Sequence, residues 1–170
     1  MNEEIISTRD FIQTYGLYIQ FIALCAYIFK VRKATAFVHC LITLLIFTIV
    51  HYFIEKQLLI MAQEPGLQIL VRNLWYLGFA YTDAFLVLIV LVMCRKKSLV
   101  IDRITRLILF SYVALGLTQI MRYVDRVIYD TDKLGIFYSI AIPTINISIT
   151  ALICGAAIAV YVKNNDNQGL

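Results

Sequence analysis

Within the stretch WYLGFAYTDAFLVLIVLVMCRKK, Trp75 to Lys97, one carboxylate is embedded in about twenty otherwise apolar positions. An acid at that depth in a hydrophobic segment is a candidate functional group, because ionisable side chains are costly in hydrocarbon. Asp83 admits two chemistries. It could pair with Arg122 as a buried ion pair that only fixes helix register. Alternatively it faces water or an oligomer axis and takes a proton or cation, with burial disfavouring its ionised form so that protonation couples to conformation.

The other polar residues fall on helical seams. In the last apolar segment Ser139, Pro143, Asn146, Thr150, Cys154 and Ala157 recur at steps of three or four and share one face. A second seam carries Ser111, Thr118, Arg122 and Asp125, with Gln119 beside it; a third carries Arg72, Tyr76, Ala80 and Asp83. Small and polar side chains mark the faces on which membrane helices meet one another or water, so these seams delimit a candidate intramembrane site: Asp83, Arg122, Asn146, Thr150, Ser139, Tyr76 and Gln119. Pro143 deletes one backbone hydrogen bond and frees the Ser139 carbonyl, making it a candidate hinge or a static kink. His51, Glu55, Arg72 and Asp125 are expected to form a mixed-charge outer rim where a partner or external signal is read.

Enzymatic constellations are missing. His39 and His51 are twelve residues apart, about 18 Å along a helix, too far to share a metal or haem. Asp83 has no second intramembrane acid for a paired-aspartate protease, and no phosphate loop, HExxH or vicinal cysteine pair occurs. Cys25, Cys40, Cys94 and Cys154 are scattered and read as inert packing residues. No cofactor is expected, and the chain reads as non-enzymatic.

The elements that must position these groups follow from hydropathy. Of 170 residues 61% are hydrophobic and 15% charged, and the mean hydropathy is +0.81, too apolar for a water-covered surface. Five spans are expected in one transmembrane domain, at about 11–29, 34–54, 73–93, 104–121 and 134–162, with four spans as the alternative; there is no room for a separate soluble domain. Ten-residue alternation is absent, so the fold class is an all-α helical bundle and not a barrel. The start MNEEIISTRD is acidic and polar, unlike a cleaved signal peptide, and the first segment is read as retained.

Lys30, Arg32, Lys33, Arg95, Lys96, Lys97, Arg103, Arg106 and Lys163 cluster on one side of the expected membrane. Glu3, Glu4, Asp10, Glu55, Glu64, Asp125, Asp130 and Asp132 lie on the other. The positive-inside rule then puts the N-terminus outside and the C-terminus in the cytoplasm, most simply of a bacterial inner membrane. The basic loops read as topology signals touching anionic lipid, not as a nucleic-acid site. A weak internal repeat aligns LWYLGFAYTDA with IFYSIAIPTIN, pairing Trp75 with Phe137 and Tyr76 with Tyr138, as two hairpins of like orientation would require.

The function expected from these features is a small, self-associating membrane protein acting as a channel-like, effector or sensor component with a separately encoded partner. A toxin-immunity or phage-defence role fits as well as a physiological channel. The alternatives are a proton- or cation-coupled transporter using Asp83, and a structural assembly subunit. The expected partners are the lipid bilayer, further copies of the chain, and a proton or cation.

Overall fold

The computed structural model describes residues 3–31 and 33–166, with side chains at 15–16, 18–31 and 33–162. Arg32 lies outside the described residues, and of Glu3, Glu4, Asp10 and Lys163 only the backbone is described. Five helices follow one another: α1 Glu3–Val31, α2 Ala36–Met61, α3 Gln68–Lys96, α4 Arg103–Tyr123 and α5 Gly135–Asp166. Between α4 and α5 the chain makes one wide π-helical turn, Val124–Ile128. Four of the helical segments, 36–61, 68–96, 103–128 and 135–162, are long and apolar enough to cross a bilayer. The apolar part of α1 among the described residues is shorter, Tyr18–Val31. The protein is an all-α bundle of membrane-spanning helices, as its hydropathy requires.

Each helix packs on its neighbour in sequence, and α5 closes the ring against α1. Short connections force this up-and-down order. Leu41 and Leu44 of α2, Leu86 and Val90 of α3, Ile108 of α4, and Ile149 and Ile153 of α5 are each no more than 1% exposed and pack in one cluster. α2 also touches α4 directly. The axis of a single chain is therefore filled by branched aliphatic side chains. Exposed Phe21, Phe53, Phe85 and Phe110 on the outer faces are what a hydrocarbon solvent selects.

The basic loops share one end. Thr35 caps α2 by accepting from Val38 N at 3.3 Å, and Asp102 caps α4 by accepting from Thr105 N at 2.9 Å. Lys97 Nζ lies 2.7 Å from His39 Nε2, while His39 Nδ1 lies 2.9 Å from the Thr35 carbonyl. An ammonium only donates, so Nε2 accepts and Nδ1–H donates. This bridge ties the end of α3 to the start of α2. Lys30 lies over the Tyr161 ring at 4.7 Å, bringing the ends of α1 and α5 to the same side.

The helices run past the apolar segments that seeded them. α2 continues to Met61 and α3 begins at Gln68, because an established hydrogen-bond ladder extends into polar residues at no nucleation cost. The overrun changes depth: His51 lies ten residues, about 15 Å, from the end of α2.

A close helix contact lies between α3 and α4. A Cβ placed on Gly116 would meet the Ala80 carbonyl oxygen at 3.5 Å and Asp83 Cβ at 3.7 Å. Those are ordinary van der Waals distances, so the two backbones approach until only a methyl group would fit between them. Small residues on both sides, Ala80 and Gly116, permit this approach.

Candidate functional site

Two polar centres emerge, and they are separate. The first is built around Arg122, the only lysine or arginine among the buried polar residues described. Its Nη1 donates to Asp125 Oδ2 at 2.5 Å and its Nη2 donates to Asp132 Oδ1. Asp125 is three residues on, in the π-helical turn that continues α4, and i,i+3 spacing puts its carboxylate beside Arg122. The same carboxylate accepts from Thr131 Oγ1, and at 3.1 Å from Leu134 N at the start of α5. One acid thus balances a buried cation, pins the α4–α5 loop and satisfies a free amide before the next helix.

Gly135 is dictated by this clasp. A side chain there would bring its Cβ to 2.6 Å from Asp132 Oδ1 and 3.4 Å from Arg122 Nη2, pushing the pair apart. Asp130 adopts φ +48°, a left-handed position that Asp tolerates better than most residues, and it turns the loop so that Asp132 can return to Arg122.

Aromatic and amide groups complete this centre. The Arg122 guanidinium lies 5.9 Å from the centroid of the Tyr138 ring, and Tyr138 Oη donates to Gln119 Oε1 at 2.9 Å. Tyr76 of α3 meets Tyr138 of α5 edge to face, centroids 5.9 Å apart. Tyr76, Gln119, Arg122 and Asp125, all singled out in the sequence, converge here from α3, α4 and the π-helical turn. The contact between Tyr76 and Tyr138 also joins two positions that the sequence alignment of the two segments pairs.

The second centre is Asp83. It is 3% exposed, near the middle of α3, against the Gly116 backbone and within electrostatic reach of the buried Tyr112 phenol. None of the hydrogen bonds or ion pairs found among the described residues involves it. The pairing of Asp83 with Arg122 considered from sequence is not formed. Gly116 is level with Asp83, and Arg122 is six residues further along α4, about 9 Å higher, where two nearer carboxylates hold it.

His51, expected at the outer rim, is instead level with Asp83. Its Nε2 lies 2.6 Å from Thr82 Oγ1, and Thr82 donates to the Gly78 and Phe79 carbonyls at 3.0 Å each. The Thr82 proton being used, His51 donates through Nε2–H. Phe47 and Phe79 hold the imidazole edge-on at 6.3 and 5.1 Å. His51 was missed as a mid-membrane residue because only the true end of α2 reveals its depth. Of the remaining rim positions, Glu55 and Asp125 are buried and Arg72 is half-buried, so these residues do not make one open charged surface.

The α5 seam is divided. Gln20 Nε2 donates to Thr150 Oγ1 at 3.2 Å and links α1 to α5. Ser139, Pro143 and Asn146 are exposed on the outside of the bundle, Ser139 folding its hydroxyl back onto the Ile136 carbonyl at 2.8 Å. These residues are not brought to Asp83. α5 continues as one helix through Pro143. Among the described residues, no three His, Cys, Asp or Glu side chains gather in a metal-binding group.

The clasp makes a direct prediction. Replacing Arg122 by Met leaves Asp125 without its cation while preserving side-chain bulk. Amide exchange at Thr131 and Leu134 should then become roughly tenfold faster or more, because hydrogen bonds organised by a charged group are lost and the loop opens locally. Exchange at Leu86 and Val90 in the core should be much less affected. Hydrogen-exchange mass spectrometry checks both.

Comparison with known protein families, with characterised proteins and with solved structures finds no match to this chain.

Proposed function

We propose that the protein is a non-enzymatic, self-associating sensor or effector component of a bacterial inner membrane, whose conformation follows the protonation of Asp83. The observation that carries this reading is the isolation of Asp83. It is buried in the close contact of α3 with α4, and Arg122, the one buried lysine or arginine among the described residues, is engaged elsewhere by Asp125 and Asp132. Burying an unpaired charge is far more costly than burying a neutral acid. Closed packing of α3 on α4 therefore accepts the protonated carboxyl, and losing the proton favours separation of the two helices or entry of water or a cation.

The filled axis favours a switch over a pore enclosed by one chain. Asp83 points into the α3–α4 contact rather than toward the outer surface, so it acts on helix packing and does not line an assembly axis. The basic loops at one end support an orientation with the N-terminus outside and the C-terminus in the cytoplasm. In this reading output passes to a separately encoded partner.

Self-association is supported by α5. Asn146 is exposed eleven residues into a membrane-spanning segment, where an amide facing lipid lacks the hydrogen bonds that a second helix can supply.

Two measurements test these proposals. The single tryptophan, Trp75, packs on Phe79 at 5.5 Å, and Phe79 in turn packs on His51, so its fluorescence reports movement of α3 against α2. A pH titration in nanodiscs should show a one-proton transition in the wild type that is absent in Asp83→Asn, with folding retained. A transition that survives Asp83→Asn rules out Asp83 as the responsive group. For assembly, Asn146→Leu should shift the native mass of the complex toward the monomer, since an interhelical amide hydrogen bond contributes about 1–2 kcal/mol. A wild-type chain that is monomeric in nanodiscs removes the self-association claim.

A further inference from the structure

The loop clasped by Arg122 shapes a groove of about 640 Å³ at the end of the bundle opposite the basic loops. Its floor is apolar: Ile120 and Met121 of α4, Val124 of the π-helical turn, and Leu134 leading into α5. Its rim carries Tyr129 and Lys133 from the connecting loop. We propose that this groove binds one anionic phospholipid, with its phosphate at Lys133 and the start of an acyl chain on the apolar floor.

Three features select that occupant. The groove opens where a membrane-spanning helix ends, the depth of lipid headgroups. Its floor continues into the lipid-facing side of α4, where Val113, Leu117 and Ile120 are 43%, 56% and 45% exposed, giving an acyl chain an unbroken apolar track into the bilayer. The two charged residues lining the groove are not paired with each other. Asp125 is committed to Arg122, Thr131 and the Leu134 amide, whereas Lys133 has an exposed ammonium, and the Tyr129 hydroxyl is available as a second donor. An anionic headgroup therefore meets an exposed ammonium at the rim, with the chain beneath it held by burial. The clasp keeps the walls in place before lipid arrives, which lowers the ordering cost of binding.

Native mass spectrometry of the full chain tests this after reconstitution in equimolar phosphatidylglycerol and phosphatidylcholine. The wild type should retain phosphatidylglycerol about fivefold over phosphatidylcholine, the preference conferred by one lysine near the headgroup plane. Lys133→Glu, a change at an exposed loop position, should abolish the preference. Val124→Trp, which fills the floor while leaving Lys133 intact, should lower total lipid retention. Equal retention of the two lipids by the wild type, or a preference unchanged in Lys133→Glu, overturns the proposal; retention unchanged in Val124→Trp overturns the seating of the chain.

Discussion

A guanidinium buried at the end of a membrane-spanning helix must find counter-charges within the reach of one side chain, and Arg122 finds two. Asp125 comes from the π-helical turn that follows its own helix, and Asp132 from the loop beyond. Satisfying this one cation determines the path of residues 124–135. Asp125 stands three residues on in the wide turn, Asp130 takes a left-handed conformation, and Gly135 leaves room for Asp132. The groove beside the loop has its shape for the same reason. Because both nearby acids are spent on Arg122, the deeper acid on α3 is left alone.

That division of charge underlies the functional reading. A membrane bundle can use a mid-helix carboxylate to line a path, to lock two helices through a basic partner, or to sense a proton. Apolar packing of Leu44, Leu86, Ile108 and Ile153 along the axis disfavours a path within one chain. The commitment of Arg122 elsewhere removes the basic partner. What remains is an acid packed against Gly116, at a crossing so close that a small change in separation would change its solvation sharply. His51, at the same level on α2, is held by Thr82 through Nε2 and braced by two phenylalanines, so it serves as scaffolding near the acid.

Much of the fold was legible in the sequence, because hydrocarbon imposes a simple rule: long apolar runs become helices, and basic loops collect at one end. The grouping of Tyr76, Gln119, Arg122 and Asp125 was also legible, since helical spacing placed them on facing seams. Three features were not. The second counter-ion of Arg122, Asp132, returns from a loop that turns through a left-handed aspartate, which helical spacing cannot anticipate. The depth of His51 was misjudged because α2 runs seven residues past Ile54, through Glu55, Lys56 and Gln57. In α5, apolar residues surround the polar stripe on every side, so periodicity alone could not show that Ser139, Pro143 and Asn146 face outward while Thr150 meets Gln20.

The most direct test of the central claim, an unpaired and neutral Asp83 inside the α3–α4 contact, is the infrared carbonyl stretch of a buried carboxylic acid. Spectra of the protein in nanodiscs should contain a protonated-carboxyl band that shifts on deuteration, disappears in Asp83→Asn and persists in Arg122→Met. Absence of that band from the wild type under all conditions in which the bundle is closed, or its appearance only when Arg122 is removed, would show Asp83 to be an ionised partner of a base and would contradict the account.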